Sequence, residues 1–127
     1  MLWHQLVIFM FEITEKFSSN NNLRRHYISH VKVTRRGELP FGDVTIKEYE
    51  RLADDLQKAP VDNINIFGYE VEREGKRSYN KFDKRTNLFV AYFYSENTPL
   101  TITCYRLDFN TFKRRERYKV GDIPKDK

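Results

Sequence analysis

Asn87-Leu88-Phe89-Val90-Ala91-Tyr92-Phe93-Tyr94, then Ser95-Glu96-Asn97-Thr98-Pro99, then Leu100-Thr101-Ile102-Thr103-Cys104-Tyr105-Arg106-Leu107 is the stretch whose reading decides the fold. The first run is dense in aromatic and branched residues, which pack well on a pleated surface. The last run alternates large apolar residues with Thr, Cys and Arg, the period-two pattern of a strand with one face buried. Between them stand turn formers, and Pro99 lacks the N–H a ladder needs, so it belongs at a strand start or in the connection. The whole reads as a β-hairpin at the centre of one sheet, with Ser78-Tyr79-Asn80-Lys81 leading into its first arm.

Upstream, Asn63 to Glu72 alternates apolar and polar residues, and Arg73-Glu74-Gly75-Lys76 is a turn, so a second hairpin precedes the first. Thr45 and Glu48 form a capping box ahead of Ile46, Tyr49, Leu52, Ala53 and Leu56, whose spacing predicts a helix from Thr45 to about Lys58 with one apolar face. Pro60 ends it. Ser18 to Asn22 suits a helix start, and Leu23, Tyr27 and Ile28 extend that helix to about His30. Val31-Lys32-Val33-Thr34 alternates like a strand, and Arg35 to Asp43 reads as a loop. The apolar run Leu6 to Phe11 is far shorter than the roughly 20 residues a bilayer requires. It has no preceding cation to mark a signal peptide, so it reads as a buried strand extending to Ile13. The expectation is one α+β domain over residues 1–127, with N-terminal helices packed on an antiparallel β-sheet meander.

Hydrophobic residues make up 39% and aromatics 15% of the 127 residues. That is too apolar for a disordered chain and enough for one core. The net charge of +5 favours polyanionic partners, because clustered Lys and Arg displace counterions from a phosphate backbone. The densest cluster, Lys113 to Lys119, holds five cations around Tyr118 and opens a basic, solvated tail over 113–127. Cys104 is the one cysteine, so no intramolecular disulfide forms, and inside a strand pattern it reads as a small buried hydrophobe. A cytoplasmic protein with no membrane partner is expected.

The sequence carries no phosphate-binding Gly-rich loop, no G-x-S-x-G elbow and no H-E-x-x-H helix. His26 and His30 share a helix face, but only His4 and Cys104 are left to complete a zinc set, so neither metal nor cofactor is expected. The same two imidazoles suit acid and base work near neutral pH. Cleaving RNA needs a base for the ribose 2′-hydroxyl, an acid for the leaving oxygen, and cations for the charge on the phosphoryl oxygens. Arg35, Arg36, Lys81 and Arg106 are candidate cations, Thr103 a hydroxyl donor and Glu38 a second candidate base. The plainer reading of each is an exposed polar residue.

Taken in order, several short segments resemble the phage-encoded nuclease domains of the barnase, EndoU, colicin nuclease and RelE superfamily. They are His30-Val31, Arg35-Arg36-Gly37-Glu38, Asp43 to Tyr49, Ala59 to Ile64, Tyr79-Asn80-Lys81 and Leu100 to Tyr105. The resemblance covers about residues 26–107. It implies a nuclease-like fold, metal-independent RNA cleavage, and a toxin or phage-encoded effector with an immunity or antitoxin partner. By position it makes His30, Lys81 and Thr103 the active-site set, converging on one surface, to which the acid–base reading of the two imidazoles adds His26. Arg35 or Arg36 takes the second basic position, with Tyr79 of the tyrosine-x-lysine strand beside the substrate; charge, rather than the resemblance, adds Arg106, Arg114 and Arg115 to the RNA contacts. This chain departs from the pattern at Arg35, where a histidine is expected, and at Pro60-Val61-Asp62, where a proline-aspartate step is interrupted.

Two other functions fit the same residues. One is a non-catalytic RNA-binding or regulatory module on the same fold, with Tyr92, Tyr94 and Tyr105 as stacking platforms. The other is a structural domain of a mobile element whose Lys113 to Lys119 segment docks an acidic partner.

Overall fold

In the computed structural model, which describes Phe17 and residues 19–127, the chain folds as helices followed by a four-stranded antiparallel sheet. The apolar run Leu6 to Phe11 and its extension to Ile13 lie outside the described residues. Helix α1 (Asn20–Tyr27) starts where Ser19 Oγ accepts the Asn22 N–H at 2.9 Å, which satisfies one of the orphan donors of the first turn. It runs directly into one turn of π-helix, Ile28–Lys32, closed by Val33 N–H donating to Ile28 O at 3.0 Å. The strand expected at Val31 to Thr34 is therefore absent. The i to i+5 bond takes up the backbone of Val31 and Lys32, and Val33 leaves it in extended geometry.

Helix α2 (Ile46–Lys58) carries the expected capping box, with Glu48 N–H donating to Thr45 Oγ1 at 3.2 Å. Its buried side chains include Tyr49, Ala53 and Leu56. Strands β1 (Ile66–Arg73), β2 (Lys76–Asp83), β3 (Leu88–Ser95) and β4 (Thr98–Arg106) follow in spatial order β1-β2-β3-β4. The expected hairpin is β3–β4, but it is not central. β4 is an end strand of the ladder, and its outer edge is met by Phe17 opposite Thr101 and by Leu39 opposite Arg106. The register slips between Ala91 and Tyr92: Ala91 faces Thr103 while Tyr92 faces Thr101. Ile102 is thus the extra residue of a bulge, a feature that re-aims neighbouring side chains.

Alternation sorts the side chains onto two faces. Lys81 pairs with Val90 and Val90 with Cys104, so these three share a face with Tyr79 and Tyr92, packed under α2. Asn80 pairs with Ala91 and Ala91 with Thr103, on the opposite face with Phe82, Phe89 and Tyr105.

That second face is covered by helix α3 (Phe109–Arg115), capped by Asp108, whose carboxylate accepts the Thr111 N–H at 2.8 Å. Phe112 is buried against Tyr69, Phe82 and Phe89, with ring centroids 5.0, 4.9 and 6.2 Å away. The basic segment is thus the end of that helix and a 3-10 turn, Glu116–Tyr118, rather than an unstructured tail, and most of its side chains are exposed to solvent. Phe109 and Phe112, just ahead of the basic run, anchor the helix to the sheet. Beyond it the chain crosses the outer edge of β1, where Glu70 N–H donates to Gly121 O and Val120 N–H to Glu70 O, both at 2.8 Å. It then seats Ile123 against the α2-side core. The crossing depends on Gly68, whose added Cβ would lie 2.6 Å from Ile123 Cδ1.

Candidate active site

Asn22 Nδ2 donates to Ile102 O at 3.0 Å, tying α1 to the bulge in β4. Leu23 and Tyr27 point into the α2-side core, which leaves His26 and His30 over the other side of β4. The π-helical turn widens the coil between them. At more than four residues per turn, positions four apart come into line, and the rings stack with centroids 5.4 Å apart at 21°.

His26 Nδ1 lies 2.8 Å from Thr103 Oγ1 and 3.2 Å from His30 Nε2, and His30 Nε2 lies 3.3 Å from Thr103 Oγ1. On its far side His30 Nδ1 is 2.7 Å from Glu38 Oε1. Since an ionised carboxylate only accepts, His30 Nδ1 carries a proton and donates it to Glu38. The result is a train of hydrogen-bonding groups, Glu38 to His30 to His26, with Thr103 bridging the two imidazoles. His30 is 3% exposed and His26 is half-buried, so His26 is the imidazole that meets solvent. Burial lowers the His26 pKa to about 4, helped by the charges of His30, Arg25 and Arg35. At neutral pH the ring is uncharged.

Tyr105 connects this cluster to a cleft. Its ring stacks on His30 at 4.8 Å, and its hydroxyl accepts from Arg115 Nη1. The Arg115 guanidinium also lies 5.5 Å from the Tyr105 ring centre and 5.4 Å from that of Phe89. Arg73 and Arg117 complete the cationic part of the lining, Asn80 and Tyr118 add neutral polar groups, and Glu72 adds one carboxylate. Arg73 Nη2 donates to Asn80 Oδ1 at 3.1 Å, which fixes its direction. Tyr118 is 60% exposed, with the Arg117 guanidinium 4.8 Å from its ring centre.

Of the residues expected to act together, His26, His30 and Thr103 meet, with Glu38 added. Lys81 does not join them. It sits on the opposite face of the sheet, 2% exposed, donating to Gln57 O at 2.7 Å and Ala59 O at 2.6 Å at the end of α2. The expectation that His30, Lys81 and Thr103 share one surface fails because Lys81 and Thr103 fall out of phase across the ladder. Tyr79 is also on the α2 side, 4% exposed against Tyr92 and Tyr94, and is unavailable to a substrate. Arg106 stacks on Phe41 and donates to Phe41 O at 3.0 Å and to Thr86 O, so it ties two loops together. Arg114 is exposed on α3 and donates to Thr111 Oγ1 at 3.1 Å. Arg35 and Arg36 stand exposed on the loop before Glu38.

Cys104 shares the Lys81 face, where burial pushes its thiol up, so it cannot complete a metal set with the histidines. Among the described residues no group of three or more His, Cys, Asp or Glu side chains could hold a metal ion. Among the same residues no helix is long and apolar enough to cross a membrane. Sequence reading missed Arg73 and Asn80. The signal was their phase, since Val71, Arg73, Ser78, Asn80 and Phe82 alternate onto the Thr103 face. No family model matches this chain, and no curated protein or solved structure is significantly similar to it.

Proposed function

We propose that the protein is a metal-independent ribonuclease that uses His26 as its proton-transfer group. The observation that carries this reading is the train Glu38–His30–His26 beside a cleft lined by Arg73, Arg115, Arg117 and Tyr118. In the step proposed, His26 Nε2 takes the proton of a ribose 2′-hydroxyl while Nδ1–H faces His30 Nε2. The 2′-oxygen attacks the adjacent phosphorus, the P–O5′ bond breaks, and the proton is returned to the 5′-oxygen. The products are a 2′,3′-cyclic phosphate and a free 5′-hydroxyl, with no water consumed. An imidazole with a pKa near 4 is a weak base alone. The neighbouring His30, held by a carboxylate, gives the proton a place to rest during the step. His30, Glu38 and Thr103 are then positioning residues, and Arg25 and Arg35, whose charges act on His26, are the cations available to the phosphoryl oxygens.

The test is incubation of the purified chain with total RNA in the presence of a chelator, with His26→Ala and Glu38→Gln alongside. Fragments ending in cyclic phosphate that vanish with His26→Ala support the reading. Intact RNA with all three proteins overturns it.

A second reading, a non-catalytic RNA-binding protein, is favoured by Tyr118, whose exposed ring beside Arg117 suits base stacking without any chemistry. A cytoplasmic location rests on the single buried cysteine. A phage-encoded effector with an immunity or antitoxin partner rests on the sequence resemblance alone.

A further inference from the structure

On the opposite face of the sheet, the end of α2 and the C-terminal segment enclose a cleft of about 550 Å³ with Lys81 among its lining residues. Lys58, Lys125 and Lys127 also line it, and Tyr94, Val61, Ile123 and Pro124 supply an apolar wall. Two of the three Lys81 hydrogens are taken by Gln57 O and Ala59 O. The Tyr92 ring, its centre 5.4 Å from Nζ, is a further partner of the ammonium. These partners are all neutral, so none balances the charge of the buried ammonium, and it lines a cleft that a ligand can enter.

The other charges sharpen the ligand class. Lys127 Nζ lies 4.8 Å from the Tyr94 ring centre, and Lys58 Nζ is shared with Asp54 at 3.0 Å. Asp126 is the one acidic side chain in the lining, and with Lys58 paired to Asp54 three ammonium groups are left against it. Lysine binds phosphate as a point charge, without the paired geometry a guanidinium demands. A doubly charged phosphate suits this excess better than a singly charged carboxylate. The volume is that of a small-molecule pocket.

We propose that this cleft is an anion site for a small phosphate monoester, bound by Lys81 from behind and by Lys125 and Lys127 at the rim. It shares no side chain with the histidine cluster and does not depend on the chain being a nuclease.

The experiment is titration of the full chain, 15N-labelled, with inorganic phosphate and with adenosine 5′-monophosphate, followed through the lysine ammonium and tyrosine ring signals. Acetate and chloride at matched ionic strength serve as controls. The expected result is saturable binding at about 1 mM or tighter, shifts at Lys81 and Tyr94, and a rise of the Lys81 pKa from its starting value of about 8. Lys125→Glu with Lys127→Glu, which leaves the Lys81 contacts intact, should weaken binding at least tenfold while the melting temperature stays near that of the parent. Tighter binding of the nucleotide than of phosphate assigns the apolar wall to the ligand body, and equal binding assigns the site to free phosphate. Linear, unsaturated shifts, or shifts that chloride reproduces, would overturn the proposal, as would a double variant that binds like the parent.

Discussion

His30 Nδ1 stands 2.7 Å from Glu38 Oε1, and this contact joins the π-helical turn to the loop that leads into α2. It fixes which nitrogen of His30 carries a proton, and so which nitrogen faces His26. Without it the buried imidazole has a choice of tautomers and the train loses its direction.

Glu38→Ala leaves the His30 N–H unpaired at a site almost closed to water, a loss of about 1–3 kcal/mol. Glu38→Gln retains an acceptor oxygen and should unfold close to the parent in denaturant, yet lose turnover because the carboxylate no longer steadies a charged His30. Equal stability of parent and Glu38→Ala would mean that the pair does not hold His30.

His26→Ala should lower turnover by roughly 10² to 10⁴ with RNA affinity little changed, the usual range for a lost general acid or base. The measurement is kcat against KM on a short single-stranded RNA. A rise in KM alone would make His26 a binding residue.

Acidity gives a second test of the same ring. The His26 pKa is about 4 in the folded chain against 6.5 when unfolded, so between those values the unfolded chain binds more protons. Stability from this group is complete above pH 6.5 and is lost as the pH falls towards 4. Denaturant midpoints at pH 7, 5.5 and 4.5 should decline more steeply for the parent than for His26→Asn. Parallel declines would show that His26 is not held neutral.

Much of the fold was legible, and the reasons for the misses are local. The capping box at Thr45 and the alternation from Leu88 to Arg106 identify α2, β3 and β4 because each pattern has one periodicity and clear punctuation. Val31 to Thr34 misled because a single i to i+5 hydrogen bond overrides four alternating residues, and nothing in composition marks it. The pairing of His26 with His30 and Thr103 was within reach, since both histidines lie on one helix face. The exclusion of Lys81 was not. It depends on strand phase across two hairpins, and the bulge at Ile102 shifts that phase.

The cleft makes its own prediction for affinity. Tyr118→Ala should cost about 1–3 kcal/mol of single-stranded RNA binding, the range for loss of one stacked base. Arg73, Arg115 and Arg117 changed together to Ala should flatten the plot of log affinity against log salt by about 0.7 per lost phosphate contact. An unchanged slope would move the RNA path off this face. Phe112→Ala is the control, because it removes the buried anchor of α3 and should cost about 3–5 kcal/mol of folding stability.

Lys81 divides the resemblance from the geometry. If it held phosphoryl oxygens in the transition state, Lys81→Ala would lower turnover sharply while the fold stayed intact. Its contacts say otherwise: Nζ lies under 3 Å from both Gln57 O and Ala59 O, and its side chain leaves the sheet on the face away from Thr103. Removing it strips two carbonyls at the C-terminal end of α2 of a cationic donor, where a positive charge also complements the helix dipole. Lys81→Ala should therefore cost about 1–3 kcal/mol in chemical denaturation. Turnover per folded molecule should stay within about twofold of the parent, since a change of 0.4 kcal/mol in the barrier is about that factor. A variant as stable as the parent but a hundredfold slower would return Lys81 to the catalytic centre and show that the sheet phase had been misread.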